Sequence, residues 1–299
     1  MNKYIIASII AVIVLAGGIF FYSSQKVGNS TGQGQPVAQS HRSYNIEVTS
    51  NTDGIQPNQP IKFSYKIKND KGEILKNFEV AHEKIMHFIV VRKDLQYFQH
   101  LHPTFDQVTG EFTVDATFPE DGSYRMFPDF TPSVENPQKL PVTVYHDIEV
   151  GNSNRYYVQS VVPDSQMRKT YDPYRITFNV PKDIKAQQEF TYTLSVEKNR
   201  QPVTNLENYL GAFGHSVILK EDSLDFIHTH ALEAMSAGSG EHNMNAMQKE
   251  TIMQRGPDIK FATTFPKPGI YKIFTQFQHQ GKVQTVDYIV KVELKGDEL

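Results

Sequence analysis

Two stretches of this chain repeat each other, and the repeat constrains the fold more than any other feature of the sequence. Residues 75–102 align without a gap with residues 203–230, at a spacing of 128 positions. The aligned pairs include three histidines: His87 with His215, His100 with His228 and His102 with His230. Because a duplicated segment carries the same pattern of apolar residues twice, it predicts two domains of one fold in tandem.

Both copies carry the sequence pattern of β-strands. Residues 61–67 and 190–196 alternate apolar with polar side chains, the period of a strand with one face in a core and the other in water. Turn-forming residues separate such segments at 69–72, 119–122 and 266–269. Short strands separated by turns predict an all-β fold of two tandem antiparallel β-sandwiches.

A second repeated block lies near the end of each copy. Residues 118–127 align with residues 265–274 at a spacing of 147, so the second copy has 19 more residues between the blocks. In both blocks a Gly-x-Tyr sequence follows a turn, which predicts that Tyr124 and Tyr271 are buried and hold a strand corner through their hydroxyls. Phe127 and Phe274 are predicted to lie in the same cores. We place the domains at 41–160 and 161–299, with an insertion at 231–255.

The N-terminal residues 1–22 predict a membrane anchor. Residues 4–22 contain no charged side chain, and a helix over this stretch would be about 28 Å long, close to the roughly 30 Å hydrocarbon core of a bilayer. A cleaved signal segment is the alternative, although Leu15-Ala16-Gly17-Gly18 matches a cleavage site poorly. Residues 23–40 predict a flexible linker. We therefore expect extracytoplasmic domains on a single-pass membrane protein, or a secreted protein if the segment is cleaved.

The composition excludes several kinds of site and partner. The chain has no cysteine, which excludes disulfides, thiolate ligands and cysteine nucleophiles. Its formal net charge of -3 argues against a nucleic-acid partner, whose binding needs a basic surface. The sequence also lacks the motifs of serine hydrolases, zinc proteases and phosphate-binding loops. We expect no enzyme activity.

The repeated histidines are candidate metal ligands. His100 and His102 are two positions apart on a predicted strand, so they project from one face. His87 lies on the preceding strand, and pairing with an index sum of 187 or 189 would bring the three imidazoles together, whereas an even sum would put His87 on the other face. The second copy has the equivalent candidates His215, His228 and His230. The alternative is that these histidines only hydrogen-bond neighbouring groups and support the fold.

The candidate ion is copper or zinc, because neutral imidazole suits both. Methionine favours Cu(I), and Met86 adjoins His87, with His82 and Met126 expected nearby. The second copy has Leu210, Gly214 and Ile273 at these positions, so the two sites are not expected to be equivalent. The insertion adds Met235, His242, Met244, Met247 and Met253. It is either a further copper-binding segment or a loop or short helix whose methionines pack on the sheet.

These motifs resemble those of a known group of proteins. Residues 86–103 read Met-His-Phe-Ile-Val-Val-x-x-Asp-Leu-x-x-Phe-x-His-Leu-His-Pro, and Phe-Pro-x-x-Gly-x-Tyr follows at 118–124. This pattern resembles YtkA-like and other immunoglobulin-like domains of bacterial envelope proteins that accompany heavy-metal, especially copper, transport systems. The resemblance implies immunoglobulin-like sandwiches with His87, His100 and His102 as metal ligands. The second copy departs from it at Gly214 and Ala231.

Two functional hypotheses follow from the sequence. The first is a membrane-anchored extracytoplasmic protein that binds a metal, with copper favoured over zinc, and serves a metal transporter or another envelope protein. The alternative is a non-catalytic tandem β-sandwich module of the cell envelope, which binds a partner and has structural histidines. The two hypotheses differ in whether the histidines bind an ion.

Overall fold

The computed structural model describes residues 44–134, 136, 138–152, 161–232 and 255–296. The predicted membrane segment, the linker and the methionines of the insertion lie outside these residues. Over the described part of the chain, no helix has the length and apolar character needed to span a membrane.

The first repeat (residues 44–152) forms two antiparallel sheets. Its strands are β1 (Asn45–Val48), β2 (Pro60–Lys68), β3 (Met86–Arg92), β4 (Phe98–Leu101), β5 (Thr104–Asp106), β6 (Glu111–Thr117), β7 (Gly122–Phe130), β8 (Val142–Thr143) and β9 (His146–Val150). One sheet has the order β1-β2-β6-β5, and the other has the order β4-β3-β7-β8 with β9 also paired to β7. This arrangement matches an immunoglobulin-like sandwich with an extra edge strand in the second sheet.

The second repeat (residues 161–296) has the same plan. Its strands are β10 (Arg168–Tyr171), β11 (Tyr174–Asn179), β12 (Glu189–Lys198), β13 (Gln201–Pro202), β14 (His215–Lys220), β15 (Phe226–His230), β16 (Asp258–Thr264), β17 (Gly269–His279) and β18 (Lys282–Val292). One sheet has the order β10-β11-β12-β13, with β16 paired to β12, and the other has the order β15-β14-β17-β18. Strands β14, β15 and β17 are therefore the counterparts of β3, β4 and β7.

Each sandwich has its own aromatic core. In the first repeat Tyr65 of one sheet stacks on Phe88 of the other with 5.1 Å between ring centroids. The Tyr124 hydroxyl donates to the carbonyl oxygen of Glu120 at 2.8 Å, and the Tyr271 hydroxyl donates to the carbonyl oxygen of Lys267 at 2.8 Å. These bonds close the corner before β7 and before β17. The tyrosine corners predicted from the sequence are confirmed.

A third apolar cluster joins the two repeats. Alternate residues of β3, such as Phe88, belong to the core of the first sandwich, whereas Ile89 and Val91 belong to a cluster that also contains Val217 and Leu219 of β14. The sheet that contains β3 and the sheet that contains β14 are thus covered on both faces. This explains why both strands read as nearly continuous apolar runs.

The interface between the repeats has an approximate two-fold symmetry. Phe98 stacks on Phe274 with ring centroids 4.6 Å apart, and their counterparts Phe226 and Phe127 stack at 5.1 Å. Phe127 and Phe274 therefore lie in the interface and not in the sandwich cores predicted for them. The reason is strand parity, because Phe127 and the core residue Tyr124 are an odd number of positions apart on β7.

We predict that the fragment of residues 41–159 folds cooperatively and dimerises. Its core is complete, but separation from the second repeat exposes the face that carries Ile89, Val91, Phe98 and Phe127. In a two-fold dimer, Phe98 of one copy would meet Phe127 of the other. Light scattering after size exclusion measures the mass, and Phe127→Glu should give a folded monomer. A stable monomer of the unmodified fragment would contradict the prediction.

Candidate metal centre

Seven imidazoles from the two repeats meet beside the apolar interface. The first repeat contributes His82, His87, His100 and His102, and the second contributes His215, His228 and His230. The ring centroids of His82 and His230 are 3.5 Å apart, and those of His87 and His228 are 5.3 Å apart. The histidines of the two copies therefore form one continuous cluster.

The strand register explains why the histidines converge. β3 pairs with β4 so that Ile89 faces His100 and Phe88 faces Leu101, an index sum of 189. In the second repeat His215 faces His230 directly. The sequence left an odd and an even register open, and the structure has the odd sum of 189, which brings His87 to the face of His100 and His102.

Hydrogen bonds constrain the tautomers of His87 and His100. Nε2 of His87 lies 3.1 Å from the carbonyl oxygen of Ala81, so in the neutral ring this nitrogen carries the proton and Nδ1 has the lone pair. Nδ1 of His100 lies 2.8 Å from Oε1 of Gln276, whose amide nitrogen donates to Thr285. With the Gln276 amide in this orientation, the His100 lone pair is on Nε2 and faces Nδ1 of His87 at 3.0 Å. The reverse amide orientation would make this contact an imidazole–imidazole hydrogen bond.

His102 adds a third nitrogen to this pair. Its Nε2 is buried and has no hydrogen-bond partner among the described residues. Ligand nitrogens of His87, His100 and His102 all lie within 4.8 Å of one another. The three side chains that the resemblance implies as ligands are therefore together.

The second repeat positions its histidines in the same way. Nε2 of His215 lies 2.9 Å from the carbonyl oxygen of Tyr209, and Nδ1 of His228 lies 2.8 Å from Oδ2 of Asp129. The remaining nitrogens of these two rings, and Nε2 of His230, are buried without a partner in the described structure. A ring held by an oxygen on one nitrogen and free on the other is the usual state of a metal-ligating histidine.

The grouping in the second repeat differs from the predicted one. His215 and His230 have ligand nitrogens within 4.8 Å of one another and of His82, which belongs to the first repeat. His228, the counterpart of His100, belongs to neither group and is bonded to Asp129 instead. The two copies are therefore not equivalent, as predicted. The group built around the second repeat contains His82 of the first repeat in the place where His228 was expected.

The structure does not bring Met86 to the imidazoles. Met86 packs in the core of the first sandwich, where the Tyr65 hydroxyl donates to its sulfur at 3.0 Å. Met126 lies in the same core. Adjacent residues of a strand point to opposite faces, so Met86 cannot share the face of His87. The expectation that Met86 is a ligand is corrected on this ground.

Sequence reasoning missed Asp129 and Gln276. These residues are partners of His87 and His215 across neighbouring strands, yet each side chain bonds a histidine of the other repeat. Gln276 orients His100, and Asp129 orients His228. The signal that could have found them is a polar residue at the same aligned position of both repeats, between buried aromatic residues such as Phe127 and Phe130.

Burial favours the neutral form of the imidazoles in the two groups of three. It lowers the pKa of His82 and His102 to about 4 and the pKa of His100 to about 3. Burial, and after it repulsion from His228, also lowers the pKa of His87, His215 and His230. The rings therefore offer lone pairs at neutral pH, which is the form that binds metals.

We predict that the metal-free protein loses stability as the pH falls from 7 to 5. The unfolded chain binds protons near the ordinary histidine pKa of about 6.5, whereas the folded cluster does not, so its stabilising contribution is complete above that pH and decreases below it. Each such histidine adds a slope of up to about 1.4 kcal/mol per pH unit. Urea unfolding at several pH values measures the effect. A free energy of unfolding that is constant over this range would contradict it.

The comparisons with known proteins identify a family. No curated protein matches the chain in sequence. Among solved structures, the chain is similar to the α2-macroglobulin of Escherichia coli activated by porcine elastase, with 9% identity and a TM-score of 0.26. The match covers 84% of this chain and 20% of that chain, so this chain spans about a fifth of that protein. It is also similar to the Escherichia coli adhesin FdeC, with 12% identity over 84% of this chain and 64% of that chain and a TM-score of 0.23. The family described as "Domain of unknown function (DUF8832)" matches residues 40–147 and 169–294, which cover both sandwiches and more than half of the chain. This chain therefore belongs to the DUF8832 family.

Proposed function

We propose that this protein binds a transition metal ion, copper in preference to zinc, through His87, His100 and His102. The observation that carries the proposal is the convergence of ligand nitrogens of His87, His100 and His102 within 4.8 Å of one another, with Nδ1 of His87 3.0 Å from Nε2 of His100. Two nitrogens that are each about 2.0–2.1 Å from one ion have this separation when the N–metal–N angle is close to a right angle. The ion would then lie to one side of the line that joins the two nitrogens.

The preference for copper has two supports outside the imidazole cluster. The resemblance to YtkA-like domains implies a place in a copper-handling system. The insertion 231–255 is rich in methionine, whose thioether favours Cu(I), and the chain uses no cysteine, which oxidises outside the cytoplasm. With residues 4–22 as an anchor, the protein would hold copper on the outer side of a membrane for a transporter or another envelope protein.

We propose binding and not catalysis. The three imidazoles are packed between two sandwiches, and their outer nitrogens are occupied by Ala81 and Gln276. Asp129, the carboxylate within the cluster, is engaged by His228 and by the Thr143 hydroxyl. These bonds suit a group that holds an ion in place.

The alternative function, an envelope interaction module with structural histidines, leaves one observation unexplained. Histidines that only support a fold are expected to use both ring nitrogens in hydrogen bonds, since a buried polar atom without a partner costs about 1–3 kcal/mol. Nitrogens of His102, His215, His228 and His230 are buried without a partner among the described residues. Ion binding would give the nitrogen of His102 a role, and it would do the same for His215 and His230 if their group also binds an ion.

We predict that His102→Ala weakens metal binding without destabilising the metal-free protein. The substitution removes a ligand nitrogen that has no hydrogen bond to lose. Affinity for Cu(II) or Zn(II), measured by calorimetry, should fall by more than the roughly 10–100-fold that loss of a ligand-orienting partner costs. Gln276→Leu, which removes only the acceptor that orients His100, should fall within that range.

His146→Ala is the matched control, because His146 is a half-buried histidine outside the cluster. It should bind the ion as the unmodified protein does. If His102→Ala lowers the melting temperature and leaves the metal content unchanged, the histidines are structural and the interaction module is the better description.

A further inference from the structure

His82 belongs to the first repeat, but its ring contacts histidines of the second repeat. It lies on a tight turn in which the backbone N–H groups of Ala81 and Lys84 each donate to the carbonyl oxygen of the other, at 2.8 and 3.1 Å. The His82 ring stacks on His230 at 3.5 Å between centroids and lies 5.5 Å from His215. Ligand nitrogens of these three rings are within 4.8 Å of one another.

We propose that His82, His215 and His230 form a second metal site, whose ion joins the two repeats. The inference extends the proposed function, because it assumes that this interface binds metals, but it concerns a separate set of ligands. The first set belongs to one repeat alone, whereas the second takes one ligand from the first repeat and two from the second. The ion would therefore link the two sandwiches directly.

The available nitrogens support this second site. Nδ1 of His215 and Nε2 of His230 are both buried without a partner in the described residues. The other nitrogen of His215 is held by the carbonyl oxygens of Tyr209 and Leu210 at 2.9 and 3.1 Å, which fixes the direction of its lone pair. Two buried nitrogens without partners thus already lie within reach of a ligand nitrogen of His82.

His82 is the ligand that adjusts. Because its ring is nearly parallel to that of His230, with an angle of 21°, the in-plane lone pairs of the two rings run side by side. One ring has to turn about its Cβ–Cγ bond to share an ion. The His82 ring makes no hydrogen bond to the described residues, and its turn lies at the margin of the interface, where Glu83 is exposed. An ion can thus be captured at this margin when the ring rotates.

The internal repeat provides a matched substitution. The counterpart of His82 is Leu210, which lies on an equivalent turn, and the backbone φ angles are 49° and 55°. The hydrogen bonds between Tyr209 and Ala212 repeat those between Ala81 and Lys84. Leucine is therefore already accommodated in this backbone conformation. His82→Leu removes the imidazole while it retains a residue that the same turn uses elsewhere in the chain.

The experiment counts ions bound to the full-length protein and its variants. Zn(II) is the probe, because the thioethers of the insertion do not favour it. Equilibrium dialysis followed by elemental analysis should give one ion fewer for His82→Leu than for the unmodified protein, and one ion fewer for His102→Ala. The double variant should lose both ions. His146→Ala should retain both.

A second measurement separates ligand loss from misfolding. Without metal, His82→Leu should melt at the temperature of the unmodified protein or above it, and with Zn(II) it should show a smaller rise in melting temperature. If His82→Leu binds as many ions as the unmodified protein while His102→Ala loses one, the second site is refuted and the proposed function stands. If the unmodified protein binds no ion, both are refuted.

Discussion

The structure depends on two sheets that are each buried on both faces. The sheet containing β3 and the sheet containing β14 cover their own cores on one side and each other on the opposite side. One part of this interface is apolar and contains Ile89 and Val217. The other part contains the imidazoles, and each buried ring N–H there needs an acceptor in a region with few polar groups. The carbonyl oxygens of Ala81 and Tyr209 meet this need at equivalent positions.

The approximate two-fold symmetry shows which positions depart from the shared design. The stacked phenylalanines and the exchanged contacts of Asp129 and Gln276 follow the symmetry, as an interface between two copies of one domain would. Among the residues in contact with imidazoles, two positions depart from the symmetry: Asp129 has Gln276 as its counterpart, and His82 has Leu210. The backbone of the two turns is the same, so backbone geometry gives no reason for the second difference. The proposed difference in what the two histidine sets bind would account for both.

Local patterns in the sequence predicted the two sandwiches and their corners. The repeat, the strand periodicity and the Gly-x-Tyr signal identified the sandwiches and their tyrosine corners, because these depend on residues close together in the chain. The way the two repeats pack against each other could not be predicted from these patterns, because it depends on contacts between residues that are far apart in the chain. Met86 was misplaced because adjacency in sequence was taken as adjacency in space, whereas strand geometry separates neighbours.

If the proposed sites bind metal, the unpartnered nitrogens would also make the docking of the repeats sensitive to it. At about 1–3 kcal/mol for each buried nitrogen without a partner, the four in this cluster oppose a sizeable part of the 5–15 kcal/mol by which domains are typically stable. This cost falls on the interface and not on the sandwich cores, because the rings lie between the repeats. Ions in the two proposed sites would remove this cost at His102, His215 and His230, and they would add their own binding free energy to the docked state. The interface would then be the part of the molecule whose stability reports whether metal is bound, and a partner that recognised the docked repeats would distinguish the loaded protein from the empty one.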